Sequence, residues 1–295
     1  MLISSAKALA KAGHQIVFVY TCRAESFYSA SEGDFEALAV EMGCPFFSDI
    51  DVYSNIGKLA EIGADVCVSI NWLSVLKDRF LDLFRYGVLN AHAGDLPRYK
   101  GNACPNWAIL NFENKVALTV HKMTEELDSG PFLSKTYFSI DENTYITDIY
   151  NWLDEIVPKC FVEGVSKLES GGFIEQDNSI RTLRTYPRKP EDSRIVWNDS
   201  TRSILALIRA SSKPFDGAFC YLNGTDKKIV IYRARRQFVD FDFCAVSGQV
   251  CFSINGNPVV ATRDGLLEVE ECMFLEHREI DARGEIVRSL RNRLT

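Results

Sequence analysis

Tyr86-Gly87-Val88-Leu89-Asn90-Ala91-His92-Ala93-Gly94-Asp95-Leu96-Pro97-Arg98-Tyr99-Lys100-Gly101 is the stretch on which the fold of this 295-residue chain turns. It opens on an apolar β-like run at residues 88–89 and ends in polar residues able to do chemistry. A second run, at residues 117–120, leads through His121-Lys122-Met123 to Asp128-Ser129-Gly130. A parallel α/β sheet places its working groups just past the carboxyl ends of its strands. Asn90, His92 and Asp128 are therefore expected to meet in one crevice, delivered by two neighbouring strands. An amide donor, an imidazole and a carboxylate suit acyl transfer through an oxyanion.

Outward from that stretch, strand and helix alternate at the spacing of a doubly wound, mostly parallel sheet. Helices are predicted at 3–12 (stopped by Gly13), 33–43, 56–62, 78–85 and 102–111, with strands at 15–20, 65–70 and 132–140. Apolar positions Ile146, Ile149, Leu153, Ile156 and Val157 predict a helix, continued beyond Pro158 by Phe161, Val165 and Leu168. The chain opens on a helix, where such folds usually open on a strand, so the first strand reads as missing before Met1. Residues 177–193 read as a polar, arginine-bearing linker. Beyond it come a helix at 200–210 and short β-like runs near 218–222, 228–235, 248–254, 258–262 and 266–273. Turn signals at Asn223-Gly224, Ser247-Gly248, Asn255-Gly256 and Asp264-Gly265 separate them, the pattern of a small antiparallel barrel.

Composition narrows the function. A net charge of −7 argues against a broad phosphate-binding surface, although the excess acid lies before residue 193. Four histidines without ligand spacing argue against a zinc site, and no glycine-rich dinucleotide or Walker loop is present. Nine scattered cysteines without Cys-x-x-Cys read as reduced thiols. No run is long and apolar enough to cross a bilayer, and no signal peptide opens the chain, so a cytoplasmic location without membrane partners is expected.

The pattern Asn90-x-His92-x-x-x-Leu96-Pro97-x-Tyr99-x-Gly101, with Asp128-Ser129-Gly130 downstream, resembles the N10-formyltetrahydrofolate-dependent formyltransferases. Asn106-Trp107, Leu118-Thr119-Val120-His121-Lys122-Met123 and Pro190-Glu191-Asp192-Ser193 extend the likeness. It is closest to the two-domain branches that modify aminoarabinose or methionyl-tRNA, and Arg209-Ala210 with Pro214-Phe215-Asp216-Gly217 resembles their carboxy-terminal domain. The resemblance implies a Rossmann-like, mostly parallel catalytic domain (1–176), a linker (177–193) and an OB-like β-barrel domain (194–295). It implies Asn90, His92 and Asp128 as the catalytic trio and N10-formyltetrahydrofolate as formyl donor, with the pterin held by the backbone at Asn71, Trp72 and Leu73. Arg98, Lys100 and His121 are candidates for substrate contact, the two cations suiting an anionic substrate such as a nucleotide diphosphate.

The expected activity is N-formylation of a primary amine on a nucleotide-linked amino sugar. Methionyl-tRNA formylation, hydrolysis of the formyl-folate and a non-catalytic binding relative stay open as alternatives. The chain departs from the pattern where Ala93-Gly94-Asp95 replaces the usual Pro-Ser-Leu, where Lys100 stands for an Arg, and where Phe112-Glu113 replaces Gly-Glu.

Overall fold

The computed structural model describes residues 1–23, 30–168, 170–223, 225–278 and 280–295. Gly224, half of one expected turn, lies outside the described residues. The chain divides into two compact units. The first comprises Met1–Cys104, Lys115–Ser139 and Tyr150–Tyr186; the second comprises Pro105–Asn114, Ile140–Ile149 and Pro187–Thr295.

The first unit opens on α1 (Leu2–Lys11), which buries Ser5, Ala6 and Leu9 along one face. β1 (Val19–Thr21) and β2 (Phe46–Ser48) pair in parallel. Between them runs α2 (Glu32–Met42), where the Asp34 carboxylate accepts the Ser31 N–H and hydroxyl, both at 2.7 Å. Gly43 ends this helix in the left-handed region, φ 67°. α3 (Ile56–Ile62), β3 (Cys67–Ser69), α4 (Asp78–Leu81), β4 (Val88–His92) and β5 (Tyr99–Gly101) follow. α5 (Cys104–Leu110) passes into the second unit after its first residue, and the chain returns with β6 (Lys115–Lys122) and β7 (Phe132–Ser139); α6 (Ile146–Ser166) starts in the second unit and ends in the first, which closes with β8 (Leu183–Thr185).

β3, β4, β6 and β7 form one sheet in that order. β3 and β4 are parallel, but β4–β6 and β6–β7 are antiparallel. The sheet is therefore mixed where a mostly parallel one is expected. Continuous apolar runs report burial on both faces and carry no direction. Only the direction of β7 against β6 was legible, since the 123–131 connection is too short for a parallel crossover of a dozen or more residues. β4 lies deep in the unit, with Val88 and Leu89 fully buried. Val88 packs with Val52, Leu59, Leu76, Phe80 and Phe84.

The second unit holds α7 (Thr201–Ser211), whose first turn is capped by the Ser200 hydroxyl accepting the Ser203 N–H at 3.1 Å. Its sheet contains β9 (Ala218–Tyr221), β10 (Lys228–Gln237), β11 (Val250–Ile254), β12 (Asn257–Ala261) and β13 (Leu266–Phe274), in the order β11-β12-β13-β10-β9, all antiparallel. Asn255 and Gly256, both at positive φ, make the β11–β12 turn. Ile204 and Ile208 of α7 share a core with Ile229, Ile231, Leu267 and Val269; each such burial contributes about 1.5–3 kcal/mol. α8 (Arg283–Ile286) precedes a tail that bridges Leu294 to Leu222 and Arg293 to Gln249.

Candidate active site

Asn90 and His92 lie two apart on β4 and so share a face. In the antiparallel ladder His121 stands directly opposite Asn90, and Thr119 opposite His92. His121 thus enters the same face, with its Nε2 3.4 Å from the Asn90 amide nitrogen. Because β6 runs against β4, the chain leaves β6 at the wrong end to reach His92, and the 123–131 loop must curl back to bring Asp128 there. Two features hold that curl. Gly130 approaches the Lys122 carbonyl so closely that a Cβ would sit 2.0 Å from it. The buried Gln176 donates its amide N–H groups to the carbonyls of Asp128 at 2.9 Å and Gly130 at 2.7 Å.

Asp128 then sits between the two imidazoles. Its Oδ2 accepts the Gly101 N–H at 2.8 Å and lies 3.6 Å from His92 Nδ1; its Oδ1 lies 3.6 Å from His121 Nε2. Gly101 can present that N–H because it has no side chain. Its φ is 109°, and a Cβ would collide with the Thr185 carbonyl at 2.1 Å where β5 runs parallel to β8.

The far nitrogens of both rings are committed. His92 Nε2–H donates to the Tyr99 carbonyl at 2.8 Å, and His121 Nδ1–H donates to the Lys122 carbonyl at 3.0 Å. A neutral ring in either position therefore turns a lone pair toward Asp128. Three acceptors facing one another leave room for one proton. Burial alone would lower the affinity of His92 for that proton, but the Cys104 thiol, 3.6 Å from Nε2, and the Asp128 carboxylate raise it on balance. Burial would raise the Asp128 carboxyl, yet the bond with His121, the His92 charge and the Gly101 N–H together hold it down to about 2. The arrangement can take up a proton, and His92 outcompetes the carboxylate for it.

The unusual Ala93-Gly94-Asp95 turn serves this geometry. A Cβ on Gly94 would lie 2.3 Å from His92 Nε2 and 2.6 Å from the Tyr99 carbonyl, so only glycine leaves their hydrogen bond intact. Thr119 donates to the Gly94 carbonyl at 2.8 Å, and Lys135 with Tyr137 holds the Asp95 carboxylate, each at 3.2 Å.

The remaining expected site residues fall around this cluster. Lys100 donates to the Ser129 hydroxyl at 2.5 Å, beside Asp128. Arg98 is exposed, with its guanidinium over the Tyr99 ring. His121, only 1% exposed, belongs inside the cluster rather than on its rim. Asn71, at φ 54°, and Trp72 follow β3, whose Ser69 pairs with Asn90. Trp72 packs edge-on against Tyr20 and donates to Ser74 at 3.0 Å, while Leu73 stands exposed. Sequence reasoning missed Gln176, Gly94 and Cys104. No spacing signal links Gln176 to a loop some fifty residues earlier. Among the described residues no group of side chains could hold a metal ion, and no helix is long and apolar enough to cross a membrane.

The formyl transferase family model matches residues 51–165, and the formyl transferase C-terminal domain model matches residues 188–288. The bifunctional polymyxin resistance protein ArnA of Wigglesworthia glossinidia brevipalpis is 28% identical over 240 residues, which are 77% of this chain and 34% of that protein. The chain thus spans about a third of that relative's length. Among solved structures, WlaRD, a sugar 3N-formyl transferase, superposes with a TM-score of 0.64 at 17% identity, covering 91% of this chain and 93% of its own. HypX from Aquifex aeolicus, in complex with tetrahydrofolic acid, gives 0.63 at 20% identity over 88% of this chain and 44% of its own. At those identities the likeness shows the fold alone. The two domain models, however, match in chain order and together take in well over half of the residues, so the chain belongs to the two-domain formyltransferase family.

Proposed function

We propose that this chain transfers a formyl group from N10-formyltetrahydrofolate to the primary amine of a nucleotide-linked amino sugar. The observation that carries the reading is Asp128 held between His92 and His121, with the Asn90 amide beside them. Asp128, ionised at any physiological pH, attracts the incoming ammonium. The ammonium must give up a proton before its nitrogen can bond to the formyl carbon; the lone pair of His92 Nδ1 is placed to take that proton, and to return it to the folate nitrogen whose bond to the formyl carbon breaks. One N–H of Asn90 is engaged with His121; the second is free to stabilise the charge developing on the formyl oxygen. Asp128 is then the electrostatic partner of an imidazole base rather than the base itself. His121 is a positioning residue for both Asn90 and Asp128.

The loop after β3 fits a formyl-folate donor. Leu73 and Val75 stand out from it at 53% and 63% exposure, apolar surface that a flat pterin ring would cover, beside Asn71 and Trp72. Bound there, the donor supplies an activated one-carbon unit. The amino-sugar acceptor is supported by the match to a sugar 3N-formyl transferase, itself solved with dTDP and 5-N-formyl-THF. The OB-like barrel belongs to this reading too. The tail hydrogen-bonds Tyr221 and Asn223 on one side and Gly248 and Val250 on the other, which would close the second unit's sheet.

The test is incubation of purified protein with N10-formyltetrahydrofolate and dTDP- or UDP-linked amino sugars, with mass spectrometry of the sugar. A formylated sugar, matched by folate turnover that requires the amine, is expected. Folate deformylation at the same rate without any amine would make the protein a hydrolase and overturn the reading.

A further inference from the structure

β5 and β8 form a parallel two-stranded ribbon at the edge of the site, in the register Tyr99↔Leu183, Lys100↔Arg184, Gly101↔Thr185. Paired residues on neighbouring strands share a face and lie about 5 Å apart, so Arg184 stands beside Lys100. Arg98, two residues before Lys100, is exposed, with its guanidinium over the Tyr99 ring. Lys100 is anchored on Ser129, next to Asp128. Arg184 is exposed, and its Nε lies 3.4 Å from where a Cβ on Gly101 would be. Gly101 is the residue whose N–H holds Asp128. The Arg184 guanidinium thus stands one residue away from the reacting centre.

Among the described residues neither Arg184 nor Arg181 has a carboxylate within ion-pair distance, and the contact of the Arg184 guanidinium is with the Tyr186 ring, 5.8 Å from the centroid. Residues 178–186 contain two arginines and no acid, in a chain of net charge −7. Local charge therefore changes sign over a short distance, from a buried carboxylate to a rim of exposed cations. A molecule that complements both carries an amine at one end and an anionic group a few bonds away. An arginine fork matches two oxygens of a phosphate at once.

We infer that Arg184 binds a phosphate of the acceptor, the β5–β8 ribbon with Arg98 and Lys100 forming the seat of the diphosphate in a nucleotide-linked amine. This rests on the acceptor class proposed above and adds the residue that selects for it. Phosphate oxygens on the ribbon leave the sugar's amine to reach Asp128, so the same contact fixes which end of the acceptor enters.

Calorimetric titration with dTDP, UDP, thymidine and uridine tests it on the wild type, Arg184→Gln and Arg184→Glu. The diphosphates should bind the wild type, about tenfold more weakly the Gln variant, and more weakly still the Glu variant; the nucleosides should not distinguish the three. In turnover, KM for the nucleotide-linked amine should rise in step while KM for the folate donor stays put, a split that a merely structural arginine would not give. Unchanged diphosphate binding in Arg184→Gln, with nucleotide-sugar formylation intact, overturns the assignment and leaves the proposed function standing. A wild type that binds no diphosphate and formylates no nucleotide sugar overturns both.

Discussion

Replacing Asp128 by Asn removes a negative charge that faces two buried imidazoles while keeping an oxygen to accept the Gly101 N–H. The carboxyl is held at about 2 in the fold against an ordinary 3.8, a gap that favours the folded, ionised form by roughly 2 kcal/mol. Because the folded value is the depressed one, this stabilisation is fully present above an unfolded value near 4 and is lost as pH falls through about 2; about half remains near pH 3. His92 has the opposite sign. Its affinity for a proton is raised, first against burial and then by Cys104 and Asp128, so its contribution is present below its ordinary value and disappears as pH rises through the folded one. Asp128→Asn should therefore be less stable than the wild type by roughly 2 kcal/mol near neutral pH, the deficit shrinking toward about half near pH 3. Urea unfolding followed by circular dichroism across that range measures it. Equal stability near neutrality, or a deficit that does not change with pH, would refute the account of how the carboxylate is held.

Asn90→Ala removes the donor aimed at the formyl oxygen and should lower kcat by about 10²–10³ with little change in KM for the folate; a loss below tenfold in steady-state assays would take Asn90 out of the charge-stabilising role. Gln176→Leu leaves two carbonyls of the Asp128 loop without their donor. It should cost about 1–3 kcal/mol in urea unfolding and reduce kcat, since the loop positions the carboxylate. A variant that loses stability but keeps full turnover would show that the curl holds itself.

The meeting of Asn90, His92 and Asp128 was legible because these residues are concentrated: Asn90 and His92 are two residues apart, and Asp128 lies on the short connection between β6 and β7. What stayed hidden was the direction of β6 against β4. The apolar runs of β4 and β6 read as neighbours, but their periodicity could not say that β6 runs backwards, so the curl that returns Asp128 to His92 had no counterpart in the expectation. His121 reads in the sequence only as a candidate for substrate contact because a histidine on a strand gives no sign of its facing partner; register alone puts it opposite Asn90. Gln176 illustrates a harder limit. A single polar residue after a helix looks like any linker position, and its function exists only through two carbonyls far away in sequence. The Ala93-Gly94-Asp95 departure was visible but could not be interpreted until the missing Cβ was seen to make room for the His92–Tyr99 bond.

That last point changes how the departures from the family pattern weigh on function. A substitution in the turn after His92 would ordinarily suggest a site drifting out of use, with the imidazole released to rotate. Here Gly94 has the contrary effect: it leaves the ring nitrogen its carbonyl partner, commits the proton to the outer side, and so turns the lone pair of Nδ1 inward on Asp128. A decaying site has no reason to keep a carbonyl for each of two imidazoles, a glycine for each close approach and a buried glutamine for the loop between them. Buried polar groups are costly when they are left unpaired, and the pairs formed by the two imidazoles leave their inner nitrogens short of a proton, which suits the proposed attack by an ammonium-derived amine.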